Sequence, residues 1–318
     1  MNVAAGWSKR VKSRAQTRKQ RNRAAQRLFA GSAALIFLVF FAIVTMLVQC
    51  SLPLWQSVSP PQFITGRVWK PDQGLFGLLP FILGTFWTTG LGIAFALPLS
   101  LLSAVYLAEY ARPLTRAVIK PVLDILAGIP SVIYGMWGVL VVVPAVQSIF
   151  APSFSRAFPH AGLFQSGNPT GFSIISAGIV LALMIAPILI ALMVEILLAV
   201  PLALREASMA VGASRWQTVK YVVLPKAASG LIAALILGTS RALGETMAVL
   251  MVVGNVATLP RSLFDPAYPI PALIANNYGE MMSIPLYDSA IMGAALFLLV
   301  IVLFFNILSS LVLRRMLK

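Results

Sequence analysis

Apolar positions in this chain gather into long runs, and the polar positions collect between them. Six runs, near 28–50, 77–106, 122–146, 173–198, 227–253 and 289–313, reach the roughly 20 residues needed to cross a bilayer. Each predicts a helix, because a backbone in lipid must satisfy its hydrogen bonds within its own segment. The second run is over-long and carries Pro98, which predicts a tilt, a kink or a continuation into an interfacial helix. The third is interrupted by Gly128-Ile129-Pro130, read first as a packing kink and alternatively as a break that borders a pathway. Between the runs, 51–76, 147–172 and 254–288 are rich in Pro, Gly and Ser, whereas 199–226 is polar and helix-compatible. The predicted fold class is all-α: a polytopic membrane protein with a basic tail at 1–27 and a transmembrane domain over 28–318.

Composition strengthens this reading. Hydrophobic residues make up 59% of the chain and charged ones 10%, with a mean hydropathy of +0.90, whereas a soluble domain carries roughly 25% charged residues. The net charge of +15 resembles a nucleic-acid footprint, but its distribution argues for membrane topology and against nucleic acid as a partner. Nineteen basic residues fall on one side of the six runs: those of the tail from Lys9 to Arg27, Arg112, Arg116, Lys120, Arg205, Arg215, Lys220, Lys226, Arg314, Arg315 and Lys318. Only four, Arg67, Lys70, Arg156 and Arg261, fall on the other. Basic residues stay cytoplasmic, so both termini and 199–226 are expected inside a cell (inner or plasma) membrane. The first run is too long for a signal-peptide core and is read as a retained helix. The tail is expected to rest on anionic membrane lipid. Single Cys50 and single His160 support neither a disulfide nor a metal site, and no cofactor is expected.

Two segments carry candidate chemistry. In the fifth run, Arg241-Ala242-Leu243-Gly244-Glu245-Thr246 places ionisable groups at membrane depth, where a charge costs at least about 2.5–3.5 kcal/mol and so points to function. On a continuous helix Arg241 and Glu245 share a face with Ala234, Gly238 and Ala248, leaving room for a neighbouring helix or a cavity. Arg241 then either neutralises Glu245 or offers forked donors to an oxyanion. The other segment is 205–225. Its small residues Ala207, Ser208, Ala210, Gly212 and Ala213 permit close approach of another protein, with Arg215, Trp216 and Lys220 as anchors. No Gly-x-x-x-x-Gly-Lys-Ser/Thr loop is present, so energy is expected from a partner or an ion gradient, and the chain is not expected to be an enzyme. No fixed-period repeat supports an inverted-repeat carrier.

Glu206-Ala207-Ser208, Gly212, Val222 and Leu224-Pro225 resemble the EAA loop of ATP-binding-cassette importer permeases, with Ser208 and Val222 as small departures. Arg241 to Val249 followed by Gly254-Asn255, together with Phe63 to Gly66, Tyr106 to Tyr110, Leu126 to Val132 and Ala199 to Pro201, is similar to the phosphate-importer branch of that family. The resemblance covers roughly residues 60–318 and leaves the tail outside it. It implies a type I importer permease fold and an assembly with a second related permease subunit, two ATP-binding subunits and an extracytoplasmic phosphate-binding protein. It implies ATPase coupling through Glu206, Ala207, Gly212, Arg215, Leu224 and Pro225, and a substrate pathway through Arg241, Glu245 and Thr246. Sulfate and molybdate permeases have a similar Arg-Ala-Leu-Gly-Glu core, so another oxyanion is the alternative. A gradient-driven carrier using Arg241 and Glu245 as a coupling pair is the rival from another class.

Overall fold

The computed structural model describes the backbone of residues 3–165, 167–280 and 284–316, and the side chains of 22, 25–165, 167–280 and 284–311. The basic side chains expected at 9–23 and 314–318 lie outside the described residues. Among the described residues, six helices are long and apolar enough to cross a membrane: Ala25–Ser57, Leu79–Tyr110, Ser131–Ala157, Ile174–Leu198, Arg215–Leu243 and Tyr287–Leu311. The chain divides into two compact units, Met1–Cys50 and Ser51–Lys318. In the first, apolar side chains such as Leu35, Ile36, Phe37 and Phe41 are exposed, as suits a helix whose solvent is lipid.

The second unit is built around the fourth span, Ile174–Leu198, which is two-thirds buried (67%). Lipid is as apolar as leucine, so helices in a membrane associate by close packing at small residues rather than by hydrophobic exclusion. Glycines supply that approach here. A Cβ on Gly92 of the second span would come within 2.8 Å of Leu181, and one on Gly178 within 2.8 Å of Leu91. Gly238 of the fifth span meets Leu189 in the same way at 2.7 Å.

Two runs are divided differently from the sequence expectation. In place of one kinked helix over 122–146, a separate helix, Pro113–Gly128, buries none of its side chains, and the third span starts afresh at Ser131. Proline lacks an N–H and forces its predecessor out of the helical region; Ile129 is extended, with ψ 129°. The fifth span begins at Arg215, earlier than the expected 227, and ends at Leu243, with a short helix Met247–Val252 beyond the break.

At the end of the unit opposite 199–226, the loops interlock. Ile174 and Ile175 N–H donate to the carbonyls of Asp265 and Leu263 (3.1 and 3.0 Å), and the Asn168 amide donates to the carbonyls of Phe172 and Phe264 (2.7 and 3.0 Å). A two-stranded antiparallel ribbon pairs Trp69–Lys70 with Leu75–Phe76. Trp69 there packs edge-on against Phe76, Phe81 and Tyr287.

Candidate functional site

The fifth span turns polar at its end. Gly244 closes the helix, and Glu245 does not continue it: its carboxylate accepts from the N–H of Ala248 at 3.3 Å and so caps the next helix, Met247–Val252. Thr246 donates its hydroxyl to the Gly244 carbonyl at 3.3 Å. The expectation that Arg241 and Glu245 share one helical face as a pair is therefore corrected. The helix stops between them, and among the described residues they form no ion pair. The two interruptions meet in space: a Cβ on Gly135, in the helix that restarts at Ser131, would lie 2.7 Å from Met251 Sδ and 3.1 Å from Ala248 Cα.

Arg241 is exposed, and among the described residues no carboxylate or hydrogen-bond partner holds it. It borders an open cleft of about 350 Å³ with Leu237, Gly238 and Ser240 from its own helix, Ile188 and Leu192 from the fourth span, and Asn306 from the sixth. Gly238 thus both accepts a neighbouring side chain, Leu189, and borders the cleft. On the fourth span the cleft is bordered by Ile188 and Leu192, in the half of Ile174–Leu198 nearer the 199–226 segment. Two polar groups of this cleft were absent from the sequence reading. The Ser240 hydroxyl is buried without a hydrogen-bond partner among the described residues, and Asn306 spends one N–H on the Val302 carbonyl at 3.0 Å. A polar residue inside the sixth apolar run was the signal available for Asn306. A guanidinium, a hydroxyl and an amide around one cleft form a donor set suited to an oxyanion.

The segment 199–226 forms an exposed ledge at the far end of the spans. A helix, Leu202–Ala210, leads to a turn at Gly212, whose φ of +88° is open only to glycine without strain. Ser214 and Gln217 then form a reciprocal capping box that starts the helix running into the fifth span. Ser208 and Thr218 hydroxyls, 3.0 Å apart, tie the two helices together. Glu206, Ala207, Gly212, Arg215 and Pro225 are exposed, and Leu224 is half-buried. Leu202, Met209, Val211, Trp216 and Tyr221 add exposed apolar surface to the same segment. So much uncovered apolar area on one polar connector is unusual for a surface that meets only water.

Comparison with known proteins identifies the family. Residues 96–318 match the family described as binding-protein-dependent transport system inner membrane component. The chain is similar to the phosphate transport system permease protein PstC of Haemophilus influenzae, 37% identical over 91% of this chain and 93% of that protein. It is also similar to the protein of the same name in Pasteurella multocida, 36% identical over 97% of this chain and 98% of that one. Among solved structures, a chain of a bacterial alginate ABC transporter, in complex with its alginate pentasaccharide-bound periplasmic protein, superposes with a TM-score of 0.53. At 19% identity, covering 92% of this chain and 95% of that one, the likeness shows the fold.

Proposed function

Since the chain belongs to the binding-protein-dependent transport system inner membrane components, we propose that it is the membrane-spanning permease subunit of an ATP-driven phosphate importer. The observation that carries this reading is Arg241: a guanidinium without a carboxylate partner among the described residues, bordering a cleft between the fourth, fifth and sixth spans. A cation within an apolar run left unneutralised is costly unless something anionic visits it. Inorganic phosphate, with charge and several acceptor oxygens, matches its forked donors. Ser240 and Asn306 border the same cleft and complete the donor set, while Thr246 and Glu245 form the polar break beyond it. Glu245 caps a helix in this arrangement, so its contribution to passage is positional.

The ledge at 199–226 takes the coupling role, with Glu206, Ala207, Gly212, Arg215, Leu224 and Pro225 meeting a separate ATP-binding subunit. Two such subunits, a second related permease and an extracytoplasmic phosphate-binding protein complete the assembly, which works in a cell membrane with both termini on the cytoplasmic face. The names of the PstC relatives support phosphate as substrate.

The test is uptake of labelled inorganic phosphate into proteoliposomes holding the four kinds of subunit. Uptake that requires both ATP and the ATP-binding subunit is expected. Uptake by this chain and its permease partner without the ATPase would instead establish a gradient-driven carrier. Transport of sulfate or molybdate in place of phosphate would move the reading to another oxyanion.

A further inference from the structure

The second span closes in a single π-turn, Tyr106–Tyr110, and every residue from 107 to 110 holds an arginine. The carbonyls of Leu107 and Ala108 accept from Arg116 Nε and Nη2 at 3.0 and 2.9 Å. The Glu109 carboxylate accepts from Arg205, at 2.8 Å from Nη2 to Oε1 and at 3.2 and 3.3 Å from Nε. The Tyr110 ring lies 5.2 Å below the guanidinium of Arg215. Arg205 and Arg215 belong to the docking ledge, one on each of its helices. Arg205 reaches further, donating Nη2 to the Leu197 carbonyl at 2.7 Å and Nη1 to the Val200 carbonyl, at and just past the end of the fourth span.

Covalent continuity ties the ledge to the fourth and fifth spans, whereas its ties to the second run through side chains. The kind of tie decides whether motion is passed on. An exposed ion pair slips at little cost, because water replaces each partner. The Arg205–Glu109 pair is different, with side chains only 12% and 7% exposed. A desolvated, forked pair resists separation because a buried charge would be stranded. We propose that Glu109 and Arg205 are positioning residues for transport, making the ledge and the inner end of the second span move as one body, with Arg215 over Tyr110 as a second tie. Displacement of the ledge by a docked ATPase is thereby delivered to the second span as well as to its covalent neighbours. This rests on the permease reading above.

The test uses the reconstituted importer with inorganic phosphate, measuring phosphate imported per ATP hydrolysed. A wild-type assembly without ATP-driven uptake would overturn the permease reading, and the clamp with it. Given wild-type uptake, Glu109→Gln is expected to retain assembly and ATP hydrolysis while the ratio falls about tenfold or more. Glu109→Cys with Arg205→Cys, in a Cys50→Ser background, is expected to be uncoupled when reduced and to recover most of the ratio when bridged by a short bifunctional thiol reagent. An unchanged ratio in Glu109→Gln, or a bridge that blocks transport, would overturn the clamp alone, since the two segments would then slide past each other. Should Glu109→Gln fail to assemble, the bridged pair decides, because a merely structural staple gives no restoration of the ratio by bridging.

Discussion

Arg241 and Lys120 carry their charges in opposite circumstances, and the consequences of removing them differ accordingly. Lys120 donates to Glu195 at 2.7 Å with both side chains largely exposed. That hydrogen bond, aided by the charge of Glu195, raises the lysine above its ordinary value of 10.5. A raised folded-state value means the pair's contribution is fully present below 10.5 and is lost as pH rises through the raised value. Solvent screens such a pair, so Lys120→Met is expected to leave the thermal midpoint in detergent unchanged across the neutral range. Arg241 has no such partner among the described residues, so its loss falls on the ligand instead. Each hydrogen bond to a charged group contributes about 1.5–3 kcal/mol, so Arg241→Gln should cut phosphate uptake about tenfold or more with normal expression. Arg241→Lys, which keeps the charge but not the fork, should fall between. Wild-type uptake by Arg241→Gln would remove this residue from the pathway. Gly212 presents a backbone problem rather than a packing one: nothing lies near its missing Cβ, yet its φ is +88°. Gly212→Ala should strain the ledge by about 1–2 kcal/mol and weaken ATP-driven uptake while insertion proceeds normally.

The same contrast between space and conformation separates glycines at the scale of the helices. Gly90 and Gly92 both lie in the second span, but only Gly92 is closed in, by Leu181 at 2.8 Å. Gly92→Leu should overpack the contact with the fourth span and cost about 1–3 kcal/mol, read as a lower melting temperature of the detergent-solubilised chain. Gly90→Ala, with nothing within 4 Å, should hold or raise that temperature, since alanine is favoured over glycine in a helix by about 1 kcal/mol. Equal effects from the two substitutions would mean that close approach at Gly92 does not hold these helices together. The existence of the six helices was legible in the apolar runs, as was the interruption at Gly128-Ile129-Pro130, which followed from proline's missing N–H. The break after Leu243 was not. Arg-Ala-Leu-Gly-Glu-Thr has helical spacing and no proline, yet one helix ends at Gly244 and the next starts with Glu245 accepting from the Ala248 N–H.

For the molecule as a whole, the charge asymmetry of the connectors makes a prediction that no single helix can. Reporter fusions after Gly167 and at Lys318 should report opposite sides of the membrane, because basic connectors remain cytoplasmic. Matching signals would require an even number of crossings between them and a different topology. The interlocked loops around Asn168 and Asp265, and the ledge at 199–226, lie at opposite ends of Ile174–Leu198. A partner arriving from outside and one docking from the cytoplasm would therefore meet separate surfaces.

Hydropathy, proline and local capping act over a few residues, so the six membrane-length helices, the Gly-Ile-Pro break and the polar connector were already present in the order of amino acids. Arg241 was conspicuous for the same reason, a charge among apolar neighbours. Its lack of a partner was not, because pairing depends on where the helix ends and on what the fourth and sixth spans bring beside it. Asn306 joins Ser240 and Arg241 only through that packing. Glu109 and Arg205, 96 residues apart, form a buried pair only because the second and fourth spans end at the same level. Lipid and backbone hydrogen bonding make helices from local sequence alone, whereas desolvation and side-chain geometry act between segments, and only the folded chain decides which charges they bring together.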